Sequence, residues 1–356
     1  MLALLVRILT YERRRSDNFP SEKIHQSKKV SIKIFKSEVK YNNTKYGFKD
    51  HQIFDFHSPI DELSYSSEID KPLLILLHSG GFITGDKNND AVVYLAEEIS
   101  KYNINVASIN YDKFQFKSLK LQHPIQTIKE KIFSTFKDLS LAVRYFKENA
   151  ESYRIHKEKI FVAGISSGGI VALTTTFFDV NDITRYFDLD HQCLHCGGLT
   201  NSEFSVRGVI SINGAMLNVN VIDQNDNIPT LLIYGSKDGI IPHNKGKPFE
   251  KYIDDIELDI PGIAHEFSIS DFDIGYKLKL KLQEKYVKII RDQIFPEIYG
   301  SNAIKQRMKY HNLPIQIKKI KNGKHNLFFN EDGTQTGNLN VIVKEISTFI
   351  NYNSRQ

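Results

Sequence analysis

The chain reads as an α/β protein: a mostly parallel central sheet with helices on both faces. Three observations predict this. Short, continuous apolar runs recur at residues 73–77, 106–109, 160–163, 209–212, 231–234 and 315–317, as expected of strands buried on both faces. Helical segments separate them at residues 91–102, 124–149, 167–178, 304–311 and 341–352, and strand alternating with helix argues for a covered parallel sheet. The run at 159–163 also breaks into Gly164-Ile-Ser-Ser-Gly168 and continues as an apolar helix, so one strand turns sharply into a helix with a serine at the corner.

The elements follow in chain order. Residues 1–28 are polar and charged after an apolar start, with Pro20 and several Ser and Lys, and read as a loose arm. Order is expected from near Val30, where residues 30–35 alternate apolar and polar as a half-exposed first strand does, and residues 46–56 read as continuing a hairpin or meander. From there to residue 356 the chain reads as one domain. In the segment 124–149, Ile128, Ile132, Phe136, Leu139, Ala142, Val143 and Phe146 recur at steps of three and four, giving one core-facing stripe. Those residues are packing.

Bulk properties bound the answer. Hydrophobic content of 41% and charged content of 25% over 356 residues are ordinary for a globular protein and exclude disordered and collagen-like classes. A net charge of +5 from 47 basic and 42 acidic residues is a mixed, solvated surface and argues against a nucleic-acid partner. The apolar start carries Arg7 in its middle and more basic residues after it, the reverse of a secretory signal. No stretch supplies the ~20 apolar residues of a bilayer span. The literal sequence therefore reads as soluble and cytoplasmic, with the compartment and oligomeric state open.

Chemistry gathers at two glycine-rich turns. Gly164 and Gly168 remove side chains that would collide at a tight corner, which leaves the hydroxyl of Ser166 standing clear. Such a hydroxyl attacks a carbonyl only with a base in reach and with donors aimed at the oxygen that becomes negative. Directly after the run 73–77 comes His78-Ser-Gly-Gly-Phe, where adjacent glycines at a strand end let backbone N–H groups approach a ligand closely.

Together these two motifs resemble the paired signatures of the α/β-hydrolase fold, in particular carboxylesterases related to hormone-sensitive lipase and esterases of the BD-FAE type. The lead-in, His156-Lys-Glu-Lys-Ile-Phe-Val-Ala-Gly, is similar as well. The resemblance runs from about Leu73 to Ile350, with residues 244–300 unmatched, and Ser79 stands where the family loop has a glycine. It implies Ser166 as nucleophile and the N–H groups of Gly80, Gly81 and Ser167 as an oxyanion hole. Chain order in such hydrolases is serine, acid, histidine. Asp238, in Gly235-Ser-Lys-Asp-Gly-Ile-Ile-Pro, stands in the family's acid setting. His325, in the loop after the run that begins at Pro314, stands where the family places its last catalytic residue. His78 is then a structural histidine of the loop and His243 a rim residue.

The implied activity is a cofactor-free serine carboxylesterase acting on small or medium acyl esters through an acyl-enzyme. An arylformamidase or peptidase of the same fold, or a non-catalytic binding module, are the alternatives. His191, Cys193, His195 and Cys196 invite a metal reading, but four ligands within six residues make a strained tetrahedron. No metal is expected, and a disulfide-type loop or two free thiols are the competing readings. From Asp238 to His325 the chain is longer than the bare fold needs. Residues 244–300 read as an insertion, either a lid that shapes the pocket or a peripheral helical decoration. A histidine base has to be neutral, so activity is expected to fall as acidification crosses the histidine range, ~6.5 for a free side chain. A flat rate profile down to about pH 5 would count against a histidine base.

Overall fold

The computed structural model describes residues 35–60, 71–113, 124–188, 204–248, 296–330 and 332–356. The strands are β1 (Lys36–Lys45), β2 (Ile53–Ile60), β3 (Lys71–Leu77), β4 (Asn105–Ile109), β5 (Ile155–Ile165), β6 (Gly208–Ile212), β7 (Thr230–Gly235), β8 (Lys245–Gly246), β9 (Ile298–Tyr299) and β10 (Ile315–Ile320). The helices are α1 (Asp90–Ser100), α2 (Pro124–Glu148), α3 (Ala150–Tyr153), α4 (Ser167–Phe177), α5 (Val180–Phe187), α6 (Ser301–Tyr310) and α7 (Asn338–Asn353).

Among the described residues one sheet carries eight strands in the order β1-β2-β4-β3-β5-β6-β7-β10. The pairs from β4 to β10 are all parallel, and β1 and β2 form an antiparallel edge. Alternate side chains of β3 show why its run is continuously apolar. Leu73, Ile75 and Leu77 enter the core that α2 and α4 cover, while Leu74 and Leu76 enter the core beneath α1 and α7. A strand covered on both faces has no polar positions to spare.

The predicted stripe on α2 is buried at Ile132, Phe136, Leu139, Ala142, Val143 and Phe146, joined by Phe133; the side chain of Ile128 lies outside the described residues. Of the strand expected at 30–35, residues 30–34 lie outside the described residues. The first described strand is Lys36–Lys45, and residues 46–52 form the turn into β2, so the stretch 46–56 continues a hairpin. β1 is exposed over most of its length. It is held through backbone pairing to β2, with two register shifts, so no apolar alternation marks it in the sequence. β5 begins five residues before the apolar run at 160–163, at buried Ile155, with a polar stretch between. α5 was not foreseen. Asp179 starts it with a capping box, accepting from the Asp182 N–H at 2.7 Å.

The roots of the unmatched segment stand together. β8 and β9 pair antiparallel, and Gly300 N–H donates to the Asn244 carbonyl at 2.9 Å. Residues 249–295 of the expected insertion, the arm at 1–28 and the Cys193/Cys196 loop lie outside the described residues.

Phe136 is fully buried and Phe48, in the β1–β2 turn, is 101% exposed. Phe136→Ala is expected to cost ~3–5 kcal/mol in urea denaturation, whereas Phe48→Ala should stay within ~0.5 kcal/mol. Equal losses would contradict this assignment of the core.

Candidate active site

The corner between β5 and α4 is built on close backbone approach. Ser166 has φ 53° and ψ −116°, a conformation that costs an L-residue on the order of 1–3 kcal/mol. Its N–H donates to the Ile212 carbonyl at 2.8 Å, and its carbonyl accepts from Ile170 N–H at 3.0 Å. A Cβ on Gly164 would stand 2.1 Å from the Gly168 carbonyl carbon, and one on Gly168 would stand 2.5 Å from the His78 carbonyl oxygen. Both glycines are therefore required by space. The second contact also seats the start of α4 against the end of β3.

Asp238 follows β7 in a turn. Its Oδ1 accepts from the N–H groups of Ile240 and Ile241 at 2.8 and 3.0 Å. Its Oδ2 lies 2.9 Å from His325 Nδ1. An ionised carboxylate only accepts, so Nδ1 carries the hydrogen and Nε2 presents its lone pair. Nε2 is 2.9 Å from Ser166 Oγ. The structure thus joins Asp238, His325 and Ser166, three residues distant in sequence, in one hydrogen-bonded row. In that order a carboxylate orients an imidazole that can take the hydroxyl proton.

The second glycine turn is equally constrained. Gly80, Gly81 and Gly85 have φ of 133°, 60° and 96°, and Phe82 joins them at 65°. The Gly80 carbonyl accepts from the N–H groups of Ile83 and Thr84 at 3.1 and 2.9 Å, curling the loop on itself. His78 is fully buried. Burial pulls it down to about 4, so it is neutral and donates Nδ1–H to the Ser79 carbonyl at 2.7 Å. It stacks on Tyr111 with ring centroids 4.2 Å apart. The His78 reading as a structural residue of the loop fits this environment.

Tyr111 carries more than a stacking face. Burial pushes its phenol upward, which keeps it protonated, and the hydroxyl donates to the His78 carbonyl at 2.8 Å while lying 3.2 Å from Ser167 Oγ. One side chain thereby ties the glycine loop to the first turn of α4, whose N–H groups are the other expected donors. Beyond the loop, buried Lys87 pairs with Asp55 at 2.6 Å, and its N–H donates to Asn110 Oδ1 at 2.7 Å. Losing one partner of a buried pair typically costs ~3–5 kcal/mol.

Sequence reasoning missed Tyr111, Lys87 and Asp55. The one available signal was position: Tyr111 stands two residues past β4 and Lys87 two past Gly85. His243 directly precedes residue 244, where the unmatched segment begins, its ring 5.1 Å from that of Tyr234 and its carbonyl accepting from Asn302 N–H. Among the described residues no group of three or more His, Cys, Asp or Glu could hold a metal ion. None of their helices is long and apolar enough to cross a membrane.

The family model BD-FAE matches residues 62–227. No curated protein sequence matches the chain. Among solved structures, a truncated carbohydrate esterase from gut microbiota is similar over 92% of this chain and 99% of its own, at 14% identity and a TM-score of 0.53. Esterase B from Lactobacillus rhamnosis, in a C6-C4 SN3 inhibited form, is similar over 100% of this chain and 97% of its own, at 12% identity and a TM-score of 0.52. What these likenesses share with the chain is the fold.

The buried histidine makes stability depend on pH. Unfolded His78 binds its proton near 6.5, whereas the folded side chain does so only near 4. Between those values the unfolded state holds more protons, so stability falls as pH drops through the window. Unfolding free energies measured across it should decline less steeply in His78→Phe than in the wild type. Equal slopes would refute a neutral buried His78.

Proposed function

We propose that this chain, an α/β-hydrolase-fold protein, is a serine hydrolase of carboxylic esters with small or medium acyl groups, working through an acyl-enzyme. Ser166 Oγ attacks the acyl carbon as its proton passes to His325 Nε2. The carbonyl oxygen becomes an oxyanion that accepts from the N–H groups of Gly80, Gly81 and Ser167; removing one such donor typically costs ~3–4 kcal/mol of transition-state stabilisation. The tetrahedral intermediate collapses by breaking the bond to the alcohol, which takes the proton from Nε2 as it leaves. Water then attacks the acyl-serine, again giving its proton to His325, and the acid departs as Ser166 is restored. Asp238 stays ionised throughout and stabilises the imidazolium.

The observation that carries the reading is the Asp238–His325–Ser166 row, 2.9 Å at each link. It is supported by the strained corner at Ser166 and by the glycine loop anchored beside α4 through Tyr111.

Ser166→Ala should lower kcat for p-nitrophenyl acetate on the order of 10⁴-fold or more, with the circular dichroism spectrum preserved. A fluorophosphonate probe should label the wild type and not the variant. Turnover by Ser166→Ala at the wild-type rate would sink the proposal, and a wild type that neither turns over esters nor takes the probe would favour a binding module. An ester series of increasing acyl length, with acetylated sugars and N-formylkynurenine alongside, reads out the preferred class, and a preference for the formamide would move the assignment to amide cleavage.

A further inference from the structure

Beyond the row itself, we infer that Asn213 is a positioning residue, one that sets where His325 stands relative to Asp238 and Ser166. The inference rests on the function proposed above and assigns a role to a residue outside the row and the glycine loops.

Asn213 directly follows β6 and is 1% exposed. Its φ of 49° is left-handed, a region asparagine tolerates better than most L-residues. Three parts of the site converge on this strand end. The preceding carbonyl, of Ile212, accepts the Ser166 N–H at 2.8 Å, so the serine corner is tied to β6. The Asn213 N–H donates to Ile233 in β7 at 2.8 Å, and its Oδ1 accepts from Gly235 N–H, the last residue of β7, at 2.8 Å. Three residues on is Asp238. The Nδ2 group then donates to the His325 carbonyl at 2.6 Å and approaches the Lys324 carbonyl at 3.3 Å.

The reach of this side chain depends on Gly235. Asn213 stands at the end of β6, yet it touches the loop after β10, with β7 between them in the sheet. A Cβ on Gly235 would meet the carbonyl oxygens of Gly323 and Lys324 at 2.3 and 2.5 Å. Because that position is bare, the loop closes directly onto the end of β7. Main-chain bonds there act on the early part of the loop: Ser236 N–H donates to Ile320 at 2.9 Å and Lys237 N–H to Gly323 at 2.8 Å. The Asn213 amide acts further along, on residues 324 and 325. It links the strand that leads to the acid with the backbone of the base, while its own strand holds the serine.

Buried amides are costly to leave unpaired, and here donor and acceptor are both used. That satisfaction is compatible with a purely structural part. What argues for positioning is the identity of the partners: a shift of about 1 Å in a reacting group can cost ~10²-fold in rate, and the carbonyl held by Nδ2 is that of His325.

Two substitutions separate the contributions. Asn213→Gly removes the amide and keeps the left-handed backbone comfortable. Asn213→Asp keeps an acceptor for Gly235 N–H and turns a carboxylate oxygen toward the His325 carbonyl. Both should lower kcat for p-nitrophenyl acetate about 10–100-fold with KM within about twofold. Both should also weaken the low-field proton resonance of His325 Nδ1–H, identified by its loss in His325→Ala. These readings are taken well below each variant's melting temperature, so lost stability alone does not move them. Wild-type kcat and an unchanged resonance in Asn213→Gly would overturn the inference. So would wild-type values in Asn213→Asp with losses in Asn213→Gly, which would leave only the anchor on β7. Should the wild type itself prove inactive toward esters and unreactive toward the probe, the proposed function falls. The resonance still decides whether Asn213 holds His325: unchanged in both variants, it overturns the positioning role, and weakened in both, it upholds it.

Discussion

The site depends on close approach of backbone to backbone at the carboxyl ends of the central strands. At Gly164, Gly168 and Gly235 a single methyl group would stand within 2.5 Å of a neighbouring main-chain atom. Removing side chains there lets the β5–α4 corner, the loop after β3 and the loop after β10 crowd onto one edge of the sheet. Strain at Ser166 is tolerated because residues 160–165 of the flanking strand and 167–175 of the helix are buried and hold the corner from both sides. A looser frame would let φ relax, and the hydroxyl would turn away from His325.

Electrostatics at that edge follow from burial. Two N–H groups and an imidazole take up the oxygens of buried Asp238, as a polar group in the interior requires. Burial keeps His78 neutral, which suits it to shape a loop rather than carry charge toward a substrate. Tyr111 lies between these parts, its phenol held protonated and shared between the His78 carbonyl and Ser167. Lys87 and Asp55 neutralise one another where the loop departs toward α1. The proposed chemistry at Ser166 would then proceed in surroundings that reorganise little as charge develops.

Much of this was legible from residue patterns. The continuous apolar runs announced strands buried on both faces, and the period on residues 132–146 announced the helix that covers one of them. Glycines flanking Ser166, and the pair at residues 80 and 81, signalled tight turns at strand ends. Asp238 and His325 were found only by resemblance and chain order, since an Asp-Gly pair and one histidine among twelve carry little local signal. β1 stayed hidden because an exposed edge strand held by backbone pairing needs no apolar alternation.

The sequence by itself determined the layered α/β architecture and which turns had to be bare of side chains, because burial periodicity and the φ freedom of glycine are local properties. Only the tertiary structure decided that Tyr111 bridges two loops, that Lys87 finds Asp55, and that Asn213 reaches past β7 to the backbone of His325. Those contacts join residues 32 to 112 positions apart. No local propensity encodes them; they exist because a parallel sheet gathers the carboxyl ends of its strands on one edge.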